Sequence, residues 1–114
     1  MKTRREAIEM CLGFSDAYED YPFNDPNWTV MRHKRNQKTF AYIFEHNGYI
    51  WINVKCKPMD GDFLKSAYPA IAPAYHMNKT HWIGIRLDDT IPNADIQSIL
   101  AESFRLTEAS SGRK

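Results

Sequence analysis

Two segments with the alternating side-chain pattern of β-strands, joined by Asn47-Gly48, constrain the fold of this 114-residue chain more than any other feature. The first segment runs from Thr39 to Glu45 and the second from Tyr49 to Lys55. Asn-Gly between two such segments is the strongest short-range signal of a β-hairpin, because both residues accept the positive φ angles of a tight turn. The sequence therefore predicts a hairpin, and other strands and helices must join it to make a stable domain.

Alternation assigns the side chains of this hairpin to two faces, since successive residues of a strand point in opposite directions. The aliphatic side of the second strand is expected to pack against helices, and its aromatic and polar side to face outward or a partner. The predicted faces are Ile50, Ile52 and Val54 against Tyr49, Trp51, Asn53 and Lys55 in the second strand, and Ala41 and Ile43 against Phe40, Tyr42 and Phe44 in the first.

Helices and further strands flank the hairpin. Thr3 and Glu6 have the spacing of a helical capping box, and Cys11 falls on the apolar face of that helix as a small core residue. The predicted elements are a helix from Arg4 to Leu12, strands at Ala17–Tyr21 and Trp28–Arg32, the hairpin, a helix at Met59–Tyr68 opened by Pro58 with Phe63, Leu64 and Ala67 inside, a strand at Trp82–Leu87, a brief edge strand at Ile91, and a helix at Ala94–Phe104.

The order of these elements predicts the fold class. One helix, three to four strands, a helix, one to two strands and a final helix indicate an α+β domain of two layers, with an antiparallel sheet and the helices packed on one side. The domain is expected to span residues 1–106, and residues 107–114 to form a disordered tail.

Composition narrows the classes of function. Fifteen Lys and Arg residues against fourteen Asp and Glu give a net charge of +1, which provides no overall attraction to nucleic acid or to a membrane. Cys11 and Cys56 form no CxxC pair, and the chain begins with charged residues, so two reduced thiols in a cytoplasmic protein are expected. No apolar run approaches the ~20 residues of a membrane span, so no membrane partner is expected.

The segment His33–Lys38 contains no apolar residue and is predicted to be an exposed loop between two strands. It supplies most of the one clear basic cluster, which consists of Arg32, Lys34, Arg35 and Lys38 and contains no acid. Lys55, Lys57 and Lys79 could extend this cluster if the sheet brings them near it. Such a loop can follow the phosphates of a nucleic acid, and the alternative is a solvated loop without a partner.

The segment Pro73–Ile85 is the densest in groups that could contact a partner. Its candidate residues are Tyr75, His76, Asn78, Lys79, His81 and Trp82. They indicate a groove for a protein or a small molecule. The alternative is architectural, with Asn78 closing a turn and His81 satisfying a buried carbonyl group.

Catalytic and metal-binding patterns are absent from the sequence. The spacing of His76 and His81 matches no compact ligand set, and neither CxxC nor HExxH occurs. No serine lies in a Gly-x-Ser-x-Gly turn, and no glycine-rich nucleotide loop is present. We therefore expect a protein that is not an enzyme and that needs no metal or other cofactor.

Several motifs resemble the MmcQ/YjbR family of small bacterial proteins. They are Tyr21-Pro22-Phe23, Lys38-Thr39-Phe40-Ala41, Val54-Lys55-Cys56-Lys57-Pro58, Ile71-Ala72-Pro73, His76-Met77-Asn78-Lys79-Thr80-His81-Trp82 and Ser103-Phe104-Arg105-Leu106, and Asn24 stands where the family often has glycine. The resemblance implies a two-layer α+β fold similar to secretion-chaperone-like domains. The family is labelled DNA-binding by analogy to a double-wing arrangement, and no catalytic residues are established for it. We therefore expect DNA binding through the basic loop and the adjacent sheet face, with the groove as the alternative site.

Overall fold

One antiparallel sheet and three helices make up the structure, a computed structural model that describes residues 1–108. The elements are α1 Arg4–Leu12, β1 Ala17–Asp20, β2 Thr29–His33, β3 Thr39–His46, β4 Tyr49–Lys55, α2 Pro58–Ala67, β5 Ile71–Pro73, β6 Trp82–Leu87 and α3 Asn93–Glu108. The six strands lie in the order β1-β2-β3-β4-β6-β5, and every neighbouring pair is antiparallel. The predicted α+β class and antiparallel sheet are confirmed.

The local signals at the hairpin and at α1 act as predicted. Asn47 and Gly48 have φ angles of 54° and 81°, and β3 and β4 pair from Ala41 opposite Val54 to His46 opposite Tyr49. At α1 the Thr3 hydroxyl accepts a hydrogen bond from the Glu6 backbone N–H, and the Glu6 carboxylate accepts one from the Thr3 backbone N–H. These short-range interactions fix the central hairpin and the start of the first helix.

The core lies between one face of the sheet and the helices. The aliphatic side of β4 faces this core, as its alternation predicted. Buried residues that form it include Ala7, Ile8 and Cys11 from α1, Ala41, Ile43, Ile52, Val54, Ile83 and Ile85 from the sheet, and Ile96, Ile99 and Leu100 from α3. Because α2 adds Leu64 to the same cluster, all three helices cover one side of the sheet, and the two-layer arrangement is confirmed.

Phe40 was predicted to share a face of the sheet with Tyr42 and Phe44. This prediction is wrong, because a β-bulge interrupts the alternation of side chains along β3. Met31 pairs with Ala41, whereas Arg32 pairs with Thr39, so Phe40 is the extra residue in β3. Its ring is fully buried and lies 4.9 Å from the ring of Phe104 on α3. The bulge therefore turns Phe40 into the helical layer and leaves the remaining aromatic residues of β3 on the other face.

Two predicted features of the second half are also wrong. Ile91 is buried in the loop before α3 and forms no strand, and the edge strand is instead β5. In α2, Phe63 is 67% exposed and Ala67 is exposed, so the inward side of the helix is Gly61 with Leu64. Gly61 lies so close to the sheet that a Cβ atom there would come within 2.9 Å of Cys56 Sγ.

His33 is not part of an exposed loop, contrary to the prediction. It ends β2, is 1% exposed, and its Nε2 lies 2.8 Å from Thr107 Oγ1 on α3. This contact is possible because α3 continues to Glu108, two residues beyond the expected end of the domain. The rest of the predicted tail, residues 109–114, lies outside the described residues.

Both edges of the sheet are short. The strand β5 has three residues and ends at Pro73, which has no backbone N–H to donate. The strand β1 has four residues, and the next backbone N–H, that of Tyr21, donates to the Asp20 carboxylate at 2.9 Å.

No helix within residues 1–108 has both the length and the apolar character needed to cross a membrane.

Candidate ligand site on the open face of the sheet

The face of the sheet opposite the helices, here called the open face, is rich in aromatic rings. The indole of Trp28 stacks on Phe44 with ring centroids 4.4 Å apart, and Tyr42 lies 5.6 Å from Trp82. Along this face Tyr42 pairs with Asn53 of β4. The open face is thus the aromatic and polar side that alternation predicted, and two loops border it.

The first loop, residues 74–81, crosses the open face and is fixed by polar contacts. Asn53 Nδ2 donates to the Tyr75 carbonyl oxygen at 3.0 Å, and Lys79 Nζ donates to the Ala74 carbonyl oxygen at 2.8 Å. Asn78 Oδ1 accepts from the Thr80 backbone N–H at 2.8 Å, which closes a turn. Since Asn78 and Lys79 both bond within the loop, they act as its internal supports.

Aromatic stacking and an unusual backbone angle also define this loop. The Tyr75 ring stacks on Phe44 at 5.9 Å and on His46 at 4.3 Å. His76 has a φ of 61°, a left-handed conformation that is uncommon for residues other than glycine. The loop therefore holds His76 and Met77 over the sheet in a defined conformation.

The second loop, residues 21–28, forms the opposite border, and sequence reasoning missed it. The Arg4 guanidinium donates to the Asn27 carbonyl oxygen at 2.8 Å and to Asn27 Oδ1 at 3.0 Å. Asp25 Oδ1 accepts from the Asn27 backbone N–H at 2.9 Å. The signal for this border was present in the sequence, because Phe23 belongs to a family motif and Trp28 follows it in a polar loop.

A cavity of about 300 Å³ lies between the two loops. Its lining residues, called the aromatic groove from here on, are Phe23, Asp25, Trp28, Tyr42, His76 and Met77. Phe23 and Trp28 have ring centroids 6.5 Å apart at an angle of 83°, and Trp28 and Tyr42 are 6.5 Å apart at 82°. The groove is thus an apolar site with three rings and one carboxylate.

The predicted groove residues are only partly brought together. Of the six candidates, His76 lines the aromatic groove, whereas Tyr75 and Lys79 line a separate cavity of about 310 Å³ with His46, Asn47, Trp51 and Pro73. Trp82 lies beside Tyr42 at the floor of the open face. The His81 side chain is exposed, and it is the His81 backbone oxygen that accepts from the Cys56 N–H at 2.9 Å.

The residues of the basic cluster do not all share one environment in the structure. Lys34, Arg35 and Lys38 are exposed at the tip of the β2–β3 hairpin. Arg32 instead forms an ion pair with Asp20 at 2.8 Å and donates to the Gln37 carbonyl oxygen. Lys79 bonds within the 74–81 loop, as described above. These two residues are therefore engaged elsewhere and do not extend a free basic surface.

Two carboxylates lie near the remaining cations. Asp16 Oδ2 accepts from the Arg35 backbone N–H at 3.2 Å. Lys55 ends β4, and Lys57 precedes α2 beside Glu102. The pKa of Glu102 is lowered chiefly by its hydrogen bond with Arg105, with a smaller contribution from Lys57. Asp16 and Glu102 thus lie among the cations at this end of the sheet.

The buried titratable groups lie away from the aromatic groove. Burial raises the pKa of Cys11 to about 12, and burial also raises the pKa of Cys56, so both thiols are protonated at neutral pH. Burial lowers the pKa of His33, an effect opposed by Asp16 and Glu108. Within residues 1–108, no three His, Cys, Asp or Glu side chains form a group that could hold a metal ion.

Comparisons with known proteins identify the relatives of this chain. The model of the YjbR family matches residues 12–106. The uncharacterised protein YyaQ of Bacillus subtilis (strain 168) is 35% identical over 119 residues, which cover 95% of this chain and 100% of that protein. The uncharacterised protein YbdF of Escherichia coli O157:H7 is 34% identical over 99 residues, which cover 87% of this chain and 71% of that protein.

Solved structures agree with this relationship. The crystal structure of Deinococcus radiodurans protein DR2400 matches with a TM-score of 0.84 at 27% identity, covering 96% of this chain and 81% of that one. A crystal structure of a Pseudomonas syringae protein matches with a TM-score of 0.82 at 30% identity, covering 92% and 98% respectively. The chain therefore belongs to the YjbR family, as the resemblance of its motifs indicated.

Proposed function

We propose that this protein is a non-enzymatic binding module that takes a small molecule in the aromatic groove. The observation that carries the proposal is the cavity of about 300 Å³ between two loops that are each fixed to the sheet or to α1 by hydrogen bonds. Ligand sites are typically concave, mostly apolar and furnished with a few polar groups. A volume at the lower end of the usual range suits a small molecule better than an extended peptide.

The fixed borders of the groove support ligand binding on energetic grounds. Binding costs free energy when loops and side chains must become ordered, and a site that is already ordered avoids most of that cost. Asn53 holds the 74–81 loop and Arg4 holds the 21–28 loop. These contacts lie outside the cavity, so they can stabilise the site without occupying it.

A fragment screen by protein-observed NMR tests this proposal, with two matched variants. Phe23 is 51% exposed and lines the groove, and Phe63 is 67% exposed on α2, across the molecule from the groove. We expect fragments to shift the resonances of Trp28, Tyr42 and Met77. Phe23→Ser should weaken the binding of these fragments, and Phe63→Ser should leave their binding unchanged. Fragments that bind elsewhere, or that Phe23→Ser does not weaken, would overturn the proposal.

A second candidate function is DNA binding, which the hairpin tip favours. Lys34, Arg35 and Lys38 are exposed, and within residues 1–108 none of them forms an ion pair with a carboxylate. Such side chains are available to contact phosphates. Arg32 and Lys79 are not included in this proposal because of their internal contacts.

Salt-dependent gel shifts test the DNA proposal. Three phosphate contacts predict a slope of about −2 to −3 in a plot of log affinity against log salt. Replacing Lys34, Arg35 and Lys38 together by alanine should abolish the shift. Lys2→Ala is the control, since Lys2 lies near Gly48 in the β3–β4 turn, at the opposite end of β3 from the basic tip. If neither duplex nor single-stranded DNA binds at low salt, DNA binding is refuted and the groove proposal is unaffected.

The two buried, free thiols also support a proposed cytoplasmic location. Cys11 and Cys56 form no disulfide, and unpaired thiols are typical of reducing compartments.

A further inference from the structure

We propose that the aromatic groove selects a small organic cation with a methylated ammonium group. This inference rests on the proposed function above and adds the chemical class of the ligand. It follows from the arrangement of the three rings, from the carboxylate of Asp25 beside them and from the absence of Lys and Arg among the described residues that line the groove.

The ring geometry fits a cation. A cation is attracted to the face of an aromatic ring when it lies within about 6 Å of the ring centroid. The centroids of Phe23 and Tyr42 are each 6.5 Å from that of Trp28, and both rings are nearly perpendicular to the indole, so a group in the corner formed by two of these rings can lie within about 6 Å of both centroids. Phe44 stacks on one side of the Trp28 indole at 4.4 Å, so only the remaining surface of this ring, which lines the cavity, is available to a cation.

The charge of the groove favours a cation over an anion. Asp25 is exposed and lines the cavity. Within residues 1–108 it forms no ion pair with Lys, Arg or His. Arg32, on the neighbouring strand, is already paired with Asp20. The carboxylate of Asp25 is therefore not neutralised by an ion pair, and it attracts a cation in the groove.

The apolar lining selects a methylated ammonium over a bare one. A primary ammonium needs three hydrogen-bond acceptors to replace water, whereas a methylated ammonium carries its charge on groups that pack against rings and against the thioether of Met77. Asp25 is the only carboxylate among the lining residues. Cages of this composition are the recognised means of binding quaternary ammonium ligands.

A pair of ligands of equal shape tests the inference. Choline and its neutral carbon analogue, 3,3-dimethylbutan-1-ol, differ in the charge of the central atom, and both can be titrated into the protein at constant ionic strength while chemical shifts are recorded. We expect choline to bind about tenfold more tightly. Equal affinity for the two ligands, or binding of neither, would overturn the cation inference.

Two variants separate charge from ring contacts. Asp25→Asn keeps the Oδ1 acceptor for the Asn27 N–H and removes the charge, and we expect it to reduce the preference for choline about fivefold. Phe23→Leu keeps an apolar side chain without a ring. It should therefore weaken the binding of choline and leave the affinity for the neutral analogue unchanged. Asp62→Asn, at an 83% exposed side chain on α2, is the charge control. If Asp62→Asn lowers the preference as much as Asp25→Asn, the effect is not local and the inference fails.

These results are distinguishable from failure of the proposed function. If fragments bind the groove but choline shows no advantage, the groove is a site for neutral ligands and only the cation inference is lost. If no fragment binds the groove either, the proposed function is lost as well.

Discussion

Replacing Gly61 by alanine should destabilise the protein, although alanine is the better helix former. Alanine in a helix interior gains about 1 kcal/mol over glycine. Against this, the new Cβ would lie 2.9 Å from Cys56 Sγ and 3.4 Å from Ile83 Cγ2. The first distance is too short for van der Waals contact, and overpacking of a core typically costs about 1–3 kcal/mol. We therefore expect the free energy of unfolding to fall by about 1 kcal/mol, with an upper bound near 2 kcal/mol.

The sign of this effect should reverse when Cys56 is shortened. In a Cys56→Ala background the Sγ atom is absent, and the remaining contact with Ile83 is close to ordinary packing. Gly61→Ala should then stabilise the protein by up to about 1 kcal/mol through helix propensity. The coupling between the two substitutions is thus expected to be about 1–3 kcal/mol, well above the ~0.5 kcal/mol scatter of independent sites.

Urea denaturation of the four proteins at neutral pH measures this coupling. The unfolding transitions should share one slope, so that differences in midpoint report differences in stability. Additive effects within about 0.5 kcal/mol would refute the reasoning, because they would mean that α2 does not pack against Cys56 through Gly61.

Three further predictions concern the polar contacts of the fold. Because burial lowers the pKa of His33 from its ordinary 6.5, the unfolded chain binds a proton more readily than the native state. The free energy of unfolding should therefore fall as pH drops below about 6.5, and urea midpoints at pH 7.5 and 5.5 should show a smaller fall for His33→Gln. Arg4→Met should lower the free energy of unfolding by about 2–3 kcal/mol, since it removes charged hydrogen bonds to Asn27 and to the Ile43 carbonyl oxygen; a loss below about 0.5 kcal/mol in urea denaturation would contradict this. Asn53→Leu should lower the free energy of unfolding by about 1–3 kcal/mol, because it leaves the Tyr75 carbonyl oxygen without its donor. Amide hydrogen exchange should then accelerate in the 74–81 loop, while the amides of β3 stay protected.

Short-range signals made much of the fold predictable. The Asn47-Gly48 turn, the capping box at Thr3 and the aliphatic side of β4 all depend on residues within a few positions of one another. The side occupied by Phe40 does not, because it depends on a bulge that brings its ring against Phe104, far along the chain. Local alternation alone could not reveal that reversal.

The candidate site was less predictable for a similar reason. The 74–81 loop was recognisable as a cluster of polar and aromatic residues, and the structure confirms that Asn78 closes a turn there. The opposite border depends on Arg4, which bonds to Asn27 across 23 positions of sequence. Likewise, the loss of Arg32 from the basic cluster follows from its pairing with Asp20 on the neighbouring strand. Both contacts require the sheet register, which the sequence pattern leaves open.

The short edges of the sheet have a consequence for how this molecule can meet other chains. An incoming peptide strand gains affinity mainly from backbone hydrogen bonds along an exposed edge. Here one edge is three residues long and ends in Pro73, and the other is four residues long and followed by an N–H that already has a partner in Asp20. Fibre-like growth by strand addition is thereby discouraged, and the edges of this sheet offer little backbone to an incoming peptide.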